Sequence, residues 1–165
     1  SPEFAGDLVG SLETGARRAG KGADGTAPLA GFDIVPTVPV VVTDDLDYAY
    51  AAVAGYAALY IGGMGSREKN FYNQLVTRMG YEQAAAEVQD LYLARKQPEA
   101  MAAVPLDFID KTSLIGPPER VKERLHAYND SGVTTLTVST YAGDLQTRLD
   151  TVRKMAELVD EAGLA

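Results

Sequence analysis

Cysteine is absent from this chain of 165 residues, and histidine occurs once. The chain therefore cannot form a disulfide, a thiolate metal site or a cysteine nucleophile. A single histidine, His126, also excludes a metal site built from several histidines, so we expect no metal here. A Ser-His-Asp triad could be built only through His126. We expect this residue to be a solvated surface histidine on a helix rather than a catalytic base.

Positive charge is scarce as well: 15 Lys and Arg face 23 Asp and Glu, which gives a net charge of −8. Nucleic acids and anionic membranes attract clustered cations, so we expect neither as a partner. Residues 48–66 carry no charge and are long enough to span a bilayer. They are rich in Ala, Tyr and Gly instead of Leu, Ile and Phe, which predicts a buried helix. We therefore expect a soluble, cytoplasmic protein.

The remaining composition is that of a globular protein, with 46% hydrophobic and 23% charged residues. The length predicts one domain or part of one. Ser1 is a good helix N-cap and Pro2 suits the first helical position, so the chain begins at a helix boundary. We take this as a first indication of a partial domain, residues 1–165, within a longer protein.

Two segments have the β-branched, apolar pattern of buried strands, residues 32–42 and 133–139. A shorter extended segment is expected at residues 113–116. The rest is helical, with the pair Asp44-Asp45 and Asp144 as helix caps. Two parallel strands do not form a stable sheet alone. The pattern therefore predicts an α/β fold, helix-rich with two core strands, that corresponds to the last third of a βα-barrel or doubly wound sheet.

Residues 60–73 are the most unusual segment because three glycines fall within residues 62–65 and the cations Arg67 and Lys69 follow. Backbone amides freed by glycine could hold an anion or line the mouth of a cofactor site. The alternative is a helix–helix connection that ends in glycine. The segment matches neither a P-loop nor a dinucleotide-binding fingerprint.

Tyrosine is abundant, with nine tyrosines against four phenylalanines. The hydroxyls could contact a polar ligand, although half-buried packing is the commoner use. The acidic pairs 44–45 and 160–161 are interpreted as a helix cap and a solvated helix end. The residues alone therefore name no reaction. The tyrosines that could offer hydroxyls are Tyr48, Tyr56, Tyr60 and Tyr72.

Several segments, taken in order, resemble the C-terminal half of the luciferase-like monooxygenase superfamily. The similarity is strongest to its oxidoreductases that depend on the deazaflavin coenzyme F-420. It covers nearly the whole chain, and the segment at residues 59–65 is fairly specific. The motifs that carry it are Phe-Asp-Ile-Val-Pro-Thr-Val-Pro-Val (32–40), Leu-Tyr-Ile-Gly-Gly-Met-Gly (59–65), Lys-Asn-Phe-Tyr-Asn (69–73), Met-Gly-Tyr-Glu (79–82), Ser-Leu-Ile-Gly-Pro-Pro-Glu-Arg-Val (113–121) and Gly-Val-Thr-Thr-Leu (132–136).

The resemblance implies the C-terminal part of a (β/α)8 TIM barrel, with residues 32–42 as the seventh strand and 133–139 as the eighth. A helical insertion would span about residues 44–112. Such enzymes bind F-420, or alternatively FMN, at the carboxyl mouth of the barrel and transfer hydride to or from an organic substrate. Most of the cofactor site would come from strands absent from this chain, and the catalytic and cofactor-binding residues stay unassigned. The substrate-side candidates are Tyr60, Gly62, Gly63, Met64, Arg67, Lys69, Asn70, Tyr72, Lys111 and Ser113.

Other functions compete with the F-420-dependent oxidoreductase. The chain could belong to an FMN-dependent luciferase-like monooxygenase, or it could be a non-catalytic helical module that pairs its exposed strands with another chain. A hydrolase that uses His126 is the weakest alternative. The expected partners are a small-molecule substrate and either a second copy, giving a homo-oligomer, or the missing N-terminal half.

Overall fold

A parallel sheet of three short strands lies at the centre of the molecule, in a computed structural model that describes residues 1–141 and 144–164. Helices form most of the remaining structure. The elements are a 3-10 turn Pro2–Phe4, α1 Ala5–Arg18, β1 Thr37–Val42, α2 Leu46–Ala58, a π-helix Leu59–Gly63, α3 Phe71–Arg78, α4 Glu82–Leu93, α5 Gln97–Ala102, α6 Leu106–Thr112, β2 Leu114–Gly116, α7 Pro118–Asp130, β3 Thr137–Thr140 and α8 Leu145–Glu161.

The strand order is β2-β1-β3, and both neighbours run parallel to β1. Val40 pairs with Leu114 on one side and with Thr140 on the other. The structure confirms the predicted helix-rich α/β class, and it fits a partial barrel of the luciferase-like type. It adds a strand, because the extended segment expected near residue 114 joins the sheet as β2.

Both predicted long strands are shorter in the structure, and proline explains the limits of β1. Pro36 has no N–H to give to a ladder, and β1 begins only at the next residue. The chain before it still follows its neighbour, since the carbonyl of Ile34 accepts from the amide of Thr134 at 3.1 Å. Pro39 lies inside β1, but β2 pairs only with residues 40–42, so Pro39 lies beyond that paired stretch.

The predicted helix caps are confirmed. The carboxylate of Asp45 accepts from the amide of Tyr48 at 2.9 Å, and that of Asp144 accepts from the amide of Thr147 at 2.9 Å. Residues 97–112 form two short helices, α5 and α6. Pro105 separates them, because proline cannot continue the hydrogen-bonding pattern of α5.

Strand β1 is covered by helices on both faces. Val38 and Val40 pack with α7 and α8 through residues such as Leu125. On the opposite face, Val41 packs with the core formed by α2 to α6, which includes Val53. Parallel sheets require this cover because neither face is polar enough for water. Residues 46–112 thus form a helical layer against one face of the sheet.

The uncharged stretch at residues 48–66 belongs to that layer, as part of α2 and the π-helix. Its inward side is small and fully buried, with Ala49 and Ala58 both at 0% exposure. Within the described ranges, no helix combines the length and the hydrophobicity that a bilayer crossing requires.

Candidate functional site

The last turn of the α2 helix widens into the π-helix Leu59–Gly63, and two asparagines hold it there. The side-chain amide of Asn70 donates to the carbonyls of Tyr60 at 3.1 Å and Ile61 at 2.9 Å. Asn73 donates to the same Ile61 carbonyl at 3.1 Å and to Ala85 at 2.7 Å. In a regular α-helix these carbonyls would accept from amides of the same helix. Here they accept from the side chains of Asn70 and Asn73 at the start of α3. Such π turns recur at functional sites, where they reorient side chains.

The paired glycines of the π-helix serve packing. A Cβ on Gly62 would lie 2.9 Å from Cγ of Tyr92 and still closer to its Cβ, and a Cβ on Gly63 would overlap the same ring. Helix α4 can therefore approach the π-helix closely only because both positions lack a side chain. This arrangement favours the helix–helix connection over the anion cradle.

The π-helix places Tyr60 at the centre of an aromatic group that we call the tyrosine cluster, formed by Tyr56, Tyr60, Tyr72 and Tyr141. The ring centroids of Tyr56 and Tyr60 are 4.5 Å apart, and those of Tyr60 and Tyr72 are 4.6 Å apart. Tyr141, which follows β3, lies 5.7 Å from Tyr56. The rings meet tilted or edge to face, which is the favourable geometry for aromatic pairs.

A cavity of about 210 Å³ lies beside the cluster, between the start of β1 and the helical layer. We call it the tyrosine cavity. It is lined by Tyr56, Tyr60 and Tyr72, by residues 36–39, and by apolar side chains of α2, α3 and α6. No charged side chain lies among the described residues of its lining.

Two hydroxyls of the cluster, those of Tyr56 and Tyr141, stay protonated at neutral pH. Burial, and then the neighbouring Tyr60, raises the pKa of Tyr56 to about 12. Burial likewise raises the pKa of Tyr141. Loss of these protons would place negative charge in a largely apolar setting. The cluster therefore offers neutral phenols that can donate hydrogen bonds.

The structure brings two of the predicted substrate-side candidates together, Tyr60 and Tyr72, and both line the tyrosine cavity. Three other candidates take part in packing or hydrogen bonding and do not line the cavity. Gly62 and Gly63 face the ring of Tyr92, and Asn70 is buried at 1% exposure, where its side chain holds the π-helix.

The cations of the glycine-rich segment point to solvent. Arg67 pairs with Asp90 of α4, and both side chains are 59% exposed. Lys69 and Met64 are also exposed. These three candidates do not reach the tyrosine cavity.

The two candidates near α6 are separate from the cluster. Lys111 donates to Asp107 at 3.0 Å and to the hydroxyl of Tyr81 at 3.3 Å. Ser113 is fully buried, and its hydroxyl has no partner among the described residues. His126, by contrast, is exposed on α7 and does not line the tyrosine cavity.

The sequence predicted Tyr56 as a possible hydroxyl donor but not as a substrate-side residue. It gave no prediction for Tyr141. The spacing of Tyr56 and Tyr60 was a usable signal, because residues four apart share a helix face. Tyr141 had no such signal, since only the folded sheet brings it to α2.

The fold is α/β, with a cavity between a parallel sheet and a helical layer. The profile of the family described as luciferase-like monooxygenase matches residues 1–135. The chain belongs to this luciferase-like monooxygenase family.

A Mycobacterium tuberculosis protein with the assigned name "Putative coenzyme F420-dependent oxidoreductase" is 33% identical over 159 residues. The match covers 96% of this chain and 43% of the relative, so the chain spans less than half the length of that protein. No solved structure is significantly similar to the chain.

Gly62→Ala should destabilise the fold by roughly 1–3 kcal/mol, because the new methyl group must displace Tyr92 and with it α4. Urea unfolding followed by circular dichroism measures the change. Gly10→Ala in α1 is the matched control. Its Cβ meets nothing within 4 Å, so it should stabilise by about 0.5–1 kcal/mol. Equal effects at the two positions would contradict the packing role of Gly62.

Stability should fall at high pH, and Tyr56→Phe should reduce that fall. The pKa of Tyr56 is about 12 in the folded chain, against the ordinary tyrosine value of 10.0. The unfolded chain therefore releases this proton first, and the stability contribution is lost as pH rises from about 10 to about 12. Urea unfolding at stepwise pH measures the slope. Parallel curves for parent and variant would show that Tyr56 does not titrate as described.

Proposed function

We propose that this chain forms the substrate side of an oxidoreductase that transfers hydride between coenzyme F-420 and an organic substrate. The tyrosine cavity is the observation that carries the proposal, because it is a largely apolar pocket with a few convergent hydroxyls. Membership of the luciferase-like family supports an oxidoreductase or monooxygenase. The relative's name supports F-420 as the cofactor.

The tyrosine cavity does not fit the whole cofactor. A deazaflavin has three fused rings and an anionic side chain, which need more room than about 210 Å³ and a cationic side chain, and none occurs among the described residues of the lining. We therefore assign this cavity to the substrate. The cofactor would be held mainly by residues outside this chain.

The residues of this chain would bind and orient the substrate and exclude water. Val53, Ala57 and Ile61 give the cavity an apolar wall, with each residue at most 6% exposed. The hydroxyls of Tyr56 and Tyr60 would donate hydrogen bonds to a substrate oxygen. When bound, the cofactor would supply the hydride chemistry, which needs little acid–base help from the protein.

Fluorescence titration of the chain with F-420 and, in parallel, with FMN tests the proposal. Most of the cofactor site would lie outside this chain, but the substrate side borders it. We therefore expect weak, saturable binding of F-420 and binding of FMN weaker still by about tenfold or more, a difference of about 1.4 kcal/mol. The chain unfolded in urea is the control for non-specific association. Tighter binding of FMN would favour the FMN-dependent alternative. Binding of neither would contradict a cofactor site completed by this chain.

A second candidate function, assembly with another polypeptide, has its own support. Strand β3 is at the edge of the sheet, and next to it α8 exposes Leu145, Leu149 and Val152 at 73%, 42% and 50%. A groove of about 460 Å³ runs between α7, α8 and the segment that leads into β3. An unpaired parallel strand beside an apolar helix face is the arrangement that a further βα unit would complete. We propose that such a unit, from the rest of a barrel or from a second copy, covers this surface.

The assembly proposal predicts that the chain is larger than its monomer mass of 17.6 kDa in solution. Light scattering coupled to size exclusion, over a range of concentrations, measures the mass. The substitutions Leu149→Glu and Val152→Glu place negative charges on this surface. They should shift the measured mass toward that of the monomer. Leu8→Glu in α1 is the matched control, since Leu8 is 48% exposed on a different surface. A parent chain that stays monomeric throughout would rule out the second copy as occupant.

A further inference from the structure

The tyrosine cavity is selective in size, charge and shape. We propose that it binds an uncharged aromatic ring, so that the substrate is a neutral aromatic compound or carries such a ring. This inference names the substrate class of the oxidoreductase proposed above and in that respect rests on it. The binding property itself depends only on the cavity.

Size limits the ligand to one ring or two small fused rings. A cavity of about 150 Å³ is enough to bind benzene, and this one is about 210 Å³. Its walls come from elements far apart in the sequence, from Pro36 before β1 to Tyr128 of α7. Val53 and Ile61 are each 2% exposed, so this wall is fixed by core packing.

The lining favours an uncharged ligand. No charged side chain contributes to it among the described residues, so an ionised ligand would lose its hydration without gaining a counter-charge. Ser1 also borders the cavity, and its amino group already has the carboxylate of Glu3 as a neighbouring opposite charge. Burial raises the pKa of Tyr56, so its phenol stays neutral at neutral pH. A neutral hydroxyl or carbonyl group could still accept from these donors.

The arrangement of the tyrosines favours an aromatic ligand over an aliphatic one of the same size. Tyr60 and Tyr72 are nearly perpendicular, with an interplanar angle of 84°, and Tyr56 and Tyr60 are tilted by 43°. Edges and faces of the phenol rings are therefore presented around the same space. An inserted ring can extend this edge-to-face pattern, whereas a saturated ring cannot.

Three matched probes test the inference: benzyl alcohol, benzoate and cyclohexylmethanol. Binding is followed by ligand-observed NMR and by tyrosine fluorescence, which tryptophan does not mask because the chain has none. We expect saturable binding of benzyl alcohol, with benzoate at least about tenfold weaker and cyclohexylmethanol about threefold weaker or more. Benzoate binding as tightly as benzyl alcohol would overturn the charge selectivity. Equal binding of the two alcohols would overturn the aromatic selectivity.

Two variants locate the binding. Ala57 lines the cavity at 6% exposure, so Ala57→Met should fill it and weaken benzyl alcohol binding by about tenfold or more. Ala51→Met, at an exposed position of α2, is the matched control and should bind like the parent. If Ala57→Met does not fold, Tyr60→Phe and Tyr60→Leu take its place, and only the latter should lose the aromatic preference. Unchanged binding in a folded Ala57→Met or in Tyr60→Leu would overturn the inference.

The aromatic ligand and the proposed oxidoreductase are tested by different ligands, so either can fail alone. Saturable binding of F-420 without binding of benzyl alcohol would overturn the aromatic ligand and leave the oxidoreductase in place. Binding of benzyl alcohol without either cofactor would support the cavity and count against the oxidoreductase.

Discussion

The burial of strand β1 on both faces is the constraint on which the rest of the structure depends. A parallel strand has no polar face, so Val38 and Val40 need cover on one side and Val41 on the other. Helices α7 and α8 cover the first side, and the layer that starts with α2 covers the second. Helix α2 must therefore run along the sheet, and its far end brings the π-helix to the start of β1.

The tyrosine cavity is a consequence of that path. Pro36 and Thr37 are at the start of β1, and they line the cavity together with Tyr56 and Tyr60 from the end of α2. In a closed barrel, ligand sites are built at the carboxyl ends of the strands. The tyrosine cavity is formed with the first half of β1, so it lies toward the opposite end of that strand from the carboxyl mouth that the resemblance implied.

The sequence predicted what depends on local pattern. Asp45 and Asp144 were recognised as caps because an acceptor side chain before an apolar helix satisfies free amides. The sequence did not predict the π-helix. This helix depends on the side chains of Asn70 and Asn73, at the start of α3, which donate to the carbonyls of residues 60 and 61. The predicted strands were too long for a similar reason. A proline interrupts a strand only where its missing N–H would have paired, and the sequence does not show where the neighbouring strand lies. The glycines looked like an anion site because a sequence does not show that Tyr92 fills the space beside them.

The chemistry of the tyrosine cluster agrees with a binding role rather than with proton transfer. A general base works best with a pKa near the operating pH, and burial moves Tyr56 in the opposite direction, to about 12. The same burial makes the phenol a dependable hydrogen-bond donor and keeps charge out of the cavity. The hydride transfer proposed above would need such a neutral, largely apolar site, because the cofactor would supply the reactive hydride. The raised pKa of Tyr56 therefore agrees with a residue that binds and orients a ligand.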